Sequence, residues 1–259
     1  MLGSYEAFKE FIYQLTKIDL NSYKERQMKR RIDALIVKHG ISSYKDYVNI
    51  LKTDKTYYNE FINYITINVS EFYRNPDQWL VLEKDVLPYL FNNFGKQLKI
   101  WSAACSTGDE PYSLVMLLAK FLPLNKIKIL ATDIDRLVLE KAKIGVYDYK
   151  DMKRLPPEFV KRYFTQIDSK TYKISDEIKS CVEFMQHDLL KDPYPAECNL
   201  IVCRNVLIYF TDEAKNRIYN NFHNALKDNG ILFVGSTEQM LNANKLGFQS
   251  LKSFFYTKV

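Results

Sequence analysis

The sequence predicts an α/β fold: a parallel sheet with helices on both faces, preceded by a small all-helical domain. Three observations lead there. From about residue 96 onward, short apolar runs alternate with helical stretches, the pattern of a parallel sheet wrapped by helices. Residues 1–75 carry helical periodicity and no strand signal. The run "LKIW" leads through "SAACSTGDEPYS" into "LVMLLAKFL", which reads as a strand, a small-residue turn and a helix.

The elements follow in order. "YEAFKEFIYQLTKI" places Phe8, Phe11, Ile12 and Leu15 at helical spacing. "SYKERQMKRRIDALIVKHG" is a second helix, closed by Gly40 in a C-terminal capping position. "SSYKDYVNILK" starts from a Ser42 or Ser43 cap, and "YYNEFINYITI" is a fourth helix. "PDQWLVLEKDVLPYLFNNF" follows as a linker helix. Beyond it, "QLKIWSA", "KIKILATDI", "VEFMQHDL" and "NLIVCRN" read as strands. "EPYSLVMLLAKFL", "RLVLEKAKIG" and "TDEAKNRIYNNFHNALK" read as helices, and "GILFVGST" and "SFFYTKV" as two late strands. The weakly alternating stretch 165–183 predicts a small antiparallel β insertion. The expected division is a helical domain over 1–75, a linker helix over 76–95 and a sheet domain over 96–259.

Composition bounds the function. The chain has 259 residues, 47% of them apolar, with 19 Tyr and 16 Phe, which excludes a disordered composition. No apolar run is long enough to span a bilayer, and the first residues show no secretory pattern, so a cytoplasmic protein is expected. The four cysteines form no C-x-x-C pair and sit beside no His cluster, which argues against zinc and against a disulfide framework. The net charge of +6 fits an acidic partner without demanding one.

In a doubly wound sheet, ligands bind at the carboxyl ends of the strands. Asp109 and Glu110 follow the first predicted strand, Asp133 and Asp135 end the second, Asp188 ends the third, and Arg204 and Asn205 end the fourth. An acid on the second strand can accept both hydroxyls of a ribose. A pyrophosphate at the first helix terminus would be repelled by Glu110, and no G-x-G-x-x-G is present. A ribose ligand with a cationic amino-acid tail suits these acids. S-adenosylmethionine has that shape.

"VSEFYR" (69–74), "WSAACSTGDEPYSL" (101–114), "ATDID" (131–135), "KAKIGVYDYKDMKRLPPEFVKRYF" (141–164) and "VCRNVLIYFTDE" (202–213) together resemble the chemotaxis receptor methyltransferases, the CheR family. The resemblance implies a Rossmann-like methyltransferase sheet domain after a helical domain. It also implies O-methylation of glutamates on chemoreceptor cytoplasmic helices, with S-adenosylmethionine as cofactor, S-adenosylhomocysteine as product and no metal. Carried over by motif, Asn68, Ser70 and Arg74 would reach the cofactor from the interdomain segment. Glu110 would take the ammonium and Asp133 the ribose, while Asp188 and Leu189 would flank the adenine. Asn205 and Val206 would line the site beside the methyl, with Tyr209 nearby. Ser70 stands where the family usually has threonine, Asp109 where glutamate is commoner and Asp188 where asparagine is common. Members that dock on a receptor's C-terminal pentapeptide carry a glycine-bearing turn in the β insertion. "TQIDSKTYKISDEIK" has no glycine, which argues against that tether.

A glutamate carboxylate is already ionised near neutral pH, so this transfer needs alignment and water exclusion rather than a general base. Arg74 and Tyr209 are the expected orienting groups. On the second helix, Met28, Ile32, Leu35 and Ile36 share one arc. Arg26, Arg30, Arg31 and Lys38 lie mostly on the other, a cationic ridge expected to dock acidic receptor helices. No aromatic-interleaved basic groove suggests nucleic acid, and a monomer is expected.

Overall fold

The computed structural model describes residues 3–240 and 242–259. It divides into two compact units: residues 1–68 with 208–216, and residues 69–207 with 217–259.

The first unit is helical. It contains α1 (Tyr5–Thr16), α2 (Glu25–Lys38), α3 (Tyr44–Thr53) and α4 (Lys55–Thr66). Each helix starts or stops where side-chain chemistry dictates. Ser4 caps α1, Ser43 caps α3 and Asp54 caps α4, each accepting a first-turn amide that has no helical partner. Gly40, in the left-handed region at φ 68°, closes α2, and the following Ile41 amide bonds back to Ile36. Phe8, Ile12, Ile32, Tyr47 and Phe61 are fully buried and form its core. Segment 208–216 completes this unit: Tyr23 and Phe210 form an antiparallel bridge, and the Lys24 amide donates to the Tyr209 carbonyl at 2.9 Å.

The second unit is the sheet domain. A long helix opens it, running through α5 (Pro76–Val81), a π-helical stretch (Leu82–Val86) and α6 (Leu87–Phe94). Its Trp79, Leu82, Val86, Leu87 and Leu90 are buried in the main core of this unit. The segment read as a linker over 76–95 is thus a packed element; its apolar spacing reflects core burial. The chain then runs β1 (Ile100–Ala103), α7 (Asp109–Leu118), β2 (Ile129–Asp133), α8 (Arg136–Ile144), β3 (Val146–Asp148), α9 (Pro157–Tyr163), β4 (Phe164–Gln166), β5 (Thr171–Ile174), α10 (Asp176–Lys179) and β6 (Val182–Gln186). It ends with β7 (Cys198–Cys203), α11 (Asp212–Ala225), β8 (Leu226–Val234), β9 (Phe248–Lys252) and β10 (Phe255–Lys258).

Seven strands form one sheet in the order β6-β2-β1-β7-β8-β10-β9. The first five pair in parallel; β10 is antiparallel to β8 and to β9. The chain winds outward from β1 through β2 to β6, then crosses back to β7. The order therefore reverses between β1 and β7, where such sheets open a crevice at their carboxyl edge. β1 and β7 are buried along their whole lengths, as a doubly covered sheet requires.

β9, the edge strand, went unread in the sequence because "FQSLK" is short and half polar. The small β insertion also differs from expectation. It is a separate three-stranded antiparallel sheet, β3-β5-β4, whose hairpin ends at Ile174; residues 176–179 are helical and Val182 already belongs to the large sheet. The hairpin turns without glycine because the Asp168 carboxylate accepts the Lys170 and Thr171 amides, an Asx turn.

Candidate active site

The turn after β1 is tightly constrained. Ala104 and Ser106 adopt left-handed backbone, and Gly108 sits at φ 90°. A Cβ on Gly108 would lie 2.9 Å from the Ala142 Cβ and 3.0 Å from the Tyr112 ring, so only glycine fits both the angle and the space. This turn delivers two acids into the first turn of α7, where carboxylates are favoured by the helix dipole. Asp109 is buried and accepts from the Thr107 hydroxyl at 2.6 Å and from the Ser70 hydroxyl; burial nevertheless pushes its pKa up to about 6. Glu110 accepts from the Ser102 hydroxyl at 2.9 Å and pairs with Arg204 at 3.4 Å. Burial raises its pKa, and the Arg204 cation opposes that rise.

Asp133 ends β2 and is 6% exposed. One carboxylate oxygen accepts the Ser106 amide at 2.8 Å, the other the Asp135 amide at 3.0 Å. Burial still lifts its pKa to about 6. Each oxygen keeps a second lone pair, so a diol can still bridge the carboxylate. After β6, Asp188 accepts the Leu190 amide at 2.8 Å and faces Lys191 at 3.7 Å, so it shapes its own turn. Leu189 is buried. His187 is buried too, with Nε2 3.3 Å from the Pro193 carbonyl and its ring edge-on to Trp101; burial lowers its pKa and keeps it neutral.

At the end of β7, Arg204 has a role that its place in the sequence does not reveal. Its guanidinium is buried and donates to the Arg74 carbonyl (2.6 Å), the Gln78 side chain (2.7 Å) and the Asn75 side chain (3.3 Å), besides Glu110. The ring of Phe233 lies 4.8 Å away. Arg204 therefore ties the acid after β1 to segment 74–78. Within that segment Arg74 is flanked by two left-handed non-glycine residues, Tyr73 and Asn75, and its side chain donates to the Val69 carbonyl at 3.0 Å. Such backbone strain clusters at functional sites. Asn68 lies at the end of the first unit and donates to Thr66 at 2.9 Å.

Asn205 is left-handed at φ 60°, and its side-chain carbonyl is buried without a hydrogen-bond partner among the described residues. Val206 is half-buried beside it. Glu238, also missed in the sequence, holds this turn: its carboxylate accepts the amides of Asn205, Leu207 and Gly235. The only sequence signal was one acid in the loop "GSTEQM" after a buried strand.

Tyr209 falls in the helical unit. There it lines a pocket of about 220 Å³ with Lys24, Gln27, Met28, Arg30, Arg31 and Ile67. Two separate sequence expectations, an orienting tyrosine and a basic docking helix, thus meet in one concavity. The ridge itself needs correction. Arg26 and Arg30 are exposed, but Arg31 turns back to donate to the Tyr64 carbonyl at 2.7 Å and stacks on the Tyr64 ring. Lys38 pairs with Glu60 at 2.9 Å. A helical wheel of α2 alone cannot see that α4 claims two of its four cations. A larger groove of about 800 Å³, lined partly by Lys99, Lys126 and Lys128, lies at the opposite, amino-terminal edge of the sheet, away from the carboxylates. Among the described residues no cluster of three or more His, Cys, Asp or Glu could hold a metal, and no helix is long and apolar enough to cross a membrane.

Acids at successive strand ends of a reversed parallel sheet, around a turn that carries one glycine, define a nucleoside-binding domain of the methyltransferase class. Comparison with known families agrees. The profile of the CheR methyltransferase SAM binding domain matches residues 68–256, and that of the CheR methyltransferase all-alpha domain matches residues 3–66. The chain belongs to the CheR methyltransferase family, which uses S-adenosylmethionine. It is 42% identical to the chemotaxis protein methyltransferase of Listeria innocua over 98% of this chain and 97% of that one. It is 36% identical to chemotaxis protein methyltransferase 1 of Pseudomonas aeruginosa (93% and 91%) and 32% identical to the Escherichia coli protein of the same description (90% and 83%).

Proposed function

We propose that this protein transfers a methyl group from S-adenosylmethionine to glutamate side chains of chemoreceptor cytoplasmic helices, the EC 2.1.1.80 reaction. The products are glutamate methyl esters and S-adenosylhomocysteine, and the role is chemotactic adaptation. The observation that supports the acceptor is the pocket that Tyr209 shares with Lys24, Arg30 and Arg31, a concavity with cations on its wall. The relatives named for chemotaxis support the setting. The reading includes a cytoplasmic monomer with no metal and no nucleic-acid partner.

The cofactor fits the residues present. Glu110 is a half-buried carboxylate for its ammonium, Asp133 a buried one for its ribose, and Asn205 has a spare buried acceptor. Asn68, Ser70, Asp188, Leu189 and Val206 complete the cofactor side of the assignment. When bound, the cofactor supplies an electrophilic methyl on sulfur. The protein's own tasks are then positional. Arg204 fixes the Arg74 backbone and Glu110 together, so Arg74 presents its cation from a held position. Tyr209 and the arginines of α2 receive the acceptor carboxylate, already ionised near neutral pH, so no base is needed. Of the four docking cations Arg26, Arg30, Arg31 and Lys38, Arg31 is held by the Tyr64 carbonyl and the exposed Lys38 is paired with Glu60, so Arg26 and Arg30 carry most of the docking.

The test is transfer of labelled methyl from S-adenosylmethionine to chemoreceptor-bearing membranes of the source organism. Label released as methanol by mild base supports a carboxyl ester. Base-stable label, or no label, sinks the receptor-glutamate reading.

A further inference from the structure

We infer that Glu238 is a positioning residue, which sets the conformation of the Asn205–Val206 turn so that the Asn205 side-chain carbonyl is held ready for the cofactor. The inference rests on the cofactor assignment above. Glu238 is 5% exposed, and its carboxylate gathers three main-chain N–H groups: Asn205 at 2.5 Å, Leu207 at 2.6 Å and Gly235 at 2.8 Å. Two of these donors bracket the turn, and the third comes from the end of β8. One side chain thereby ties the carboxyl ends of two neighbouring strands, β7 and β8.

The need for such a clamp is visible in the turn. Asn205 holds φ 60°, a conformation that persists for a non-glycine residue only when its surroundings impose it. Its side-chain oxygen is buried and lacks a partner among the described residues, an arrangement that costs free energy unless a ligand supplies the donor. A strained backbone and an unmet acceptor at one residue, locked by a buried carboxylate, form a pre-set site rather than a packing detail. Gly235 permits the clamp. A Cβ there would stand 2.5 Å from the Glu238 carboxylate and 2.8 Å from the Asn205 amide nitrogen.

The experiment measures S-adenosylmethionine binding by calorimetry on the full chain, for wild type, Glu238→Gln, Asn205→Ala and the double variant, with circular dichroism as the fold check. An amide at 238 keeps one acceptor oxygen and turns a donor towards main-chain N–H groups, so the clamp opens with little change of volume. Each single variant is expected to weaken binding about 10-fold, and the double variant less than about 3-fold further, since coupled sites do not add. Losses that multiply, or full affinity in Glu238→Gln, would overturn the inference; a residue that merely stabilised the fold would give multiplying losses. A wild type that fails to bind the cofactor would overturn the cofactor reading and the inference with it, and is seen before any variant is compared. If Glu238→Gln does not fold, Gly235→Ala replaces it in the same cycle. Undiminished affinity in Gly235→Ala, or losses that multiply with Asn205→Ala, would then be decisive against the clamp.

Discussion

At the carboxyl edge of the sheet, charged groups are buried and several neighbours hold each one; on the α2 face of the helical unit, the cations stand largely in solvent. Glu110, Arg204, Asp133 and Glu238 together engage backbone amides, hydroxyls and one another. Arg26 and Arg30 are exposed, and Lys38 makes one surface pair. The difference is one of dielectric. Buried charges act strongly and are costly to isolate, whereas surface charges are screened by salt within about 8–10 Å. The sheet edge is therefore suited to one small ligand held in one pose. On the proposed reading, the helical face would meet a large acidic partner through many weak contacts.

The contrast can be broken at its strongest point first. Arg204→Met should destabilise the protein by about 3–5 kcal/mol, because it leaves the half-buried Glu110 without its cation and strips a donor from three further acceptors. Urea unfolding with an unchanged m-value would measure this; a loss below about 1 kcal/mol would show the cluster to be hydrated and the contrast false. Asp133→Asn should come next, weakening S-adenosylmethionine by about 2–3 kcal/mol, roughly 30- to 150-fold, as a charged acceptor for two hydroxyls is lost.

The Asp133 pKa of about 6, against an ordinary 3.8, gives a third handle. Between those values the folded protein holds a proton that the unfolded chain has released. Stability from this group accordingly falls as pH rises through about 6 and is greatest below the ordinary value. On the proposed ribose assignment cofactor affinity runs the other way: the ionised form would accept both hydroxyls, so affinity should drop about 10-fold per pH unit on acidification below 6. A flat binding profile from pH 7 to 5 would assign the ribose to another group. The smallest effects belong to the helical face. Arg30→Ala should raise the KM for receptor a few-fold, less so at high salt, with cofactor binding untouched; this is the scale of an exposed charge worth under about 1 kcal/mol. Lys38→Ala should change neither the Tm nor the KM measurably. A large effect there would restore the continuous ridge that the pairing with Glu60 interrupts.

The same divide explains what the sequence could and could not reveal. Elements whose apolar period matches their burial were legible: the helices of residues 5–66, strands β1, β2 and β7, and α8; that Asp135 caps α8 was not. Glu110, Asp133 and Asn205 were legible as strand-end positions because the α/β pattern fixes where strands end. What each touches was not legible. Arg204 is adjacent to Asn205 in sequence, yet its function comes from Arg74, Asn75 and Gln78, about 130 residues away in the chain. Glu238 acts on main-chain amides, which leave no trace in residue identity. The partners of the cationic ridge were hidden for a related reason: the periodicity of one helix carries no record of the carbonyl and carboxylate that α4 brings to Arg31 and Lys38. Segment 76–95 reads as a linker helix only while the sheet it packs on is out of view.

The helical unit is discontinuous in sequence, and that has a consequence for protein engineering. A fragment ending at residue 68 would lack residues 208–216, including the Phe210 partner of Tyr23 and the Tyr209 carbonyl that caps the amide of Lys24. The pocket beside Arg30 would lose a wall as well. Grafting this unit onto another enzyme, or exchanging it between relatives, would thus need the nine-residue return segment to travel with it, and a clean cut at one junction would deliver an incomplete module.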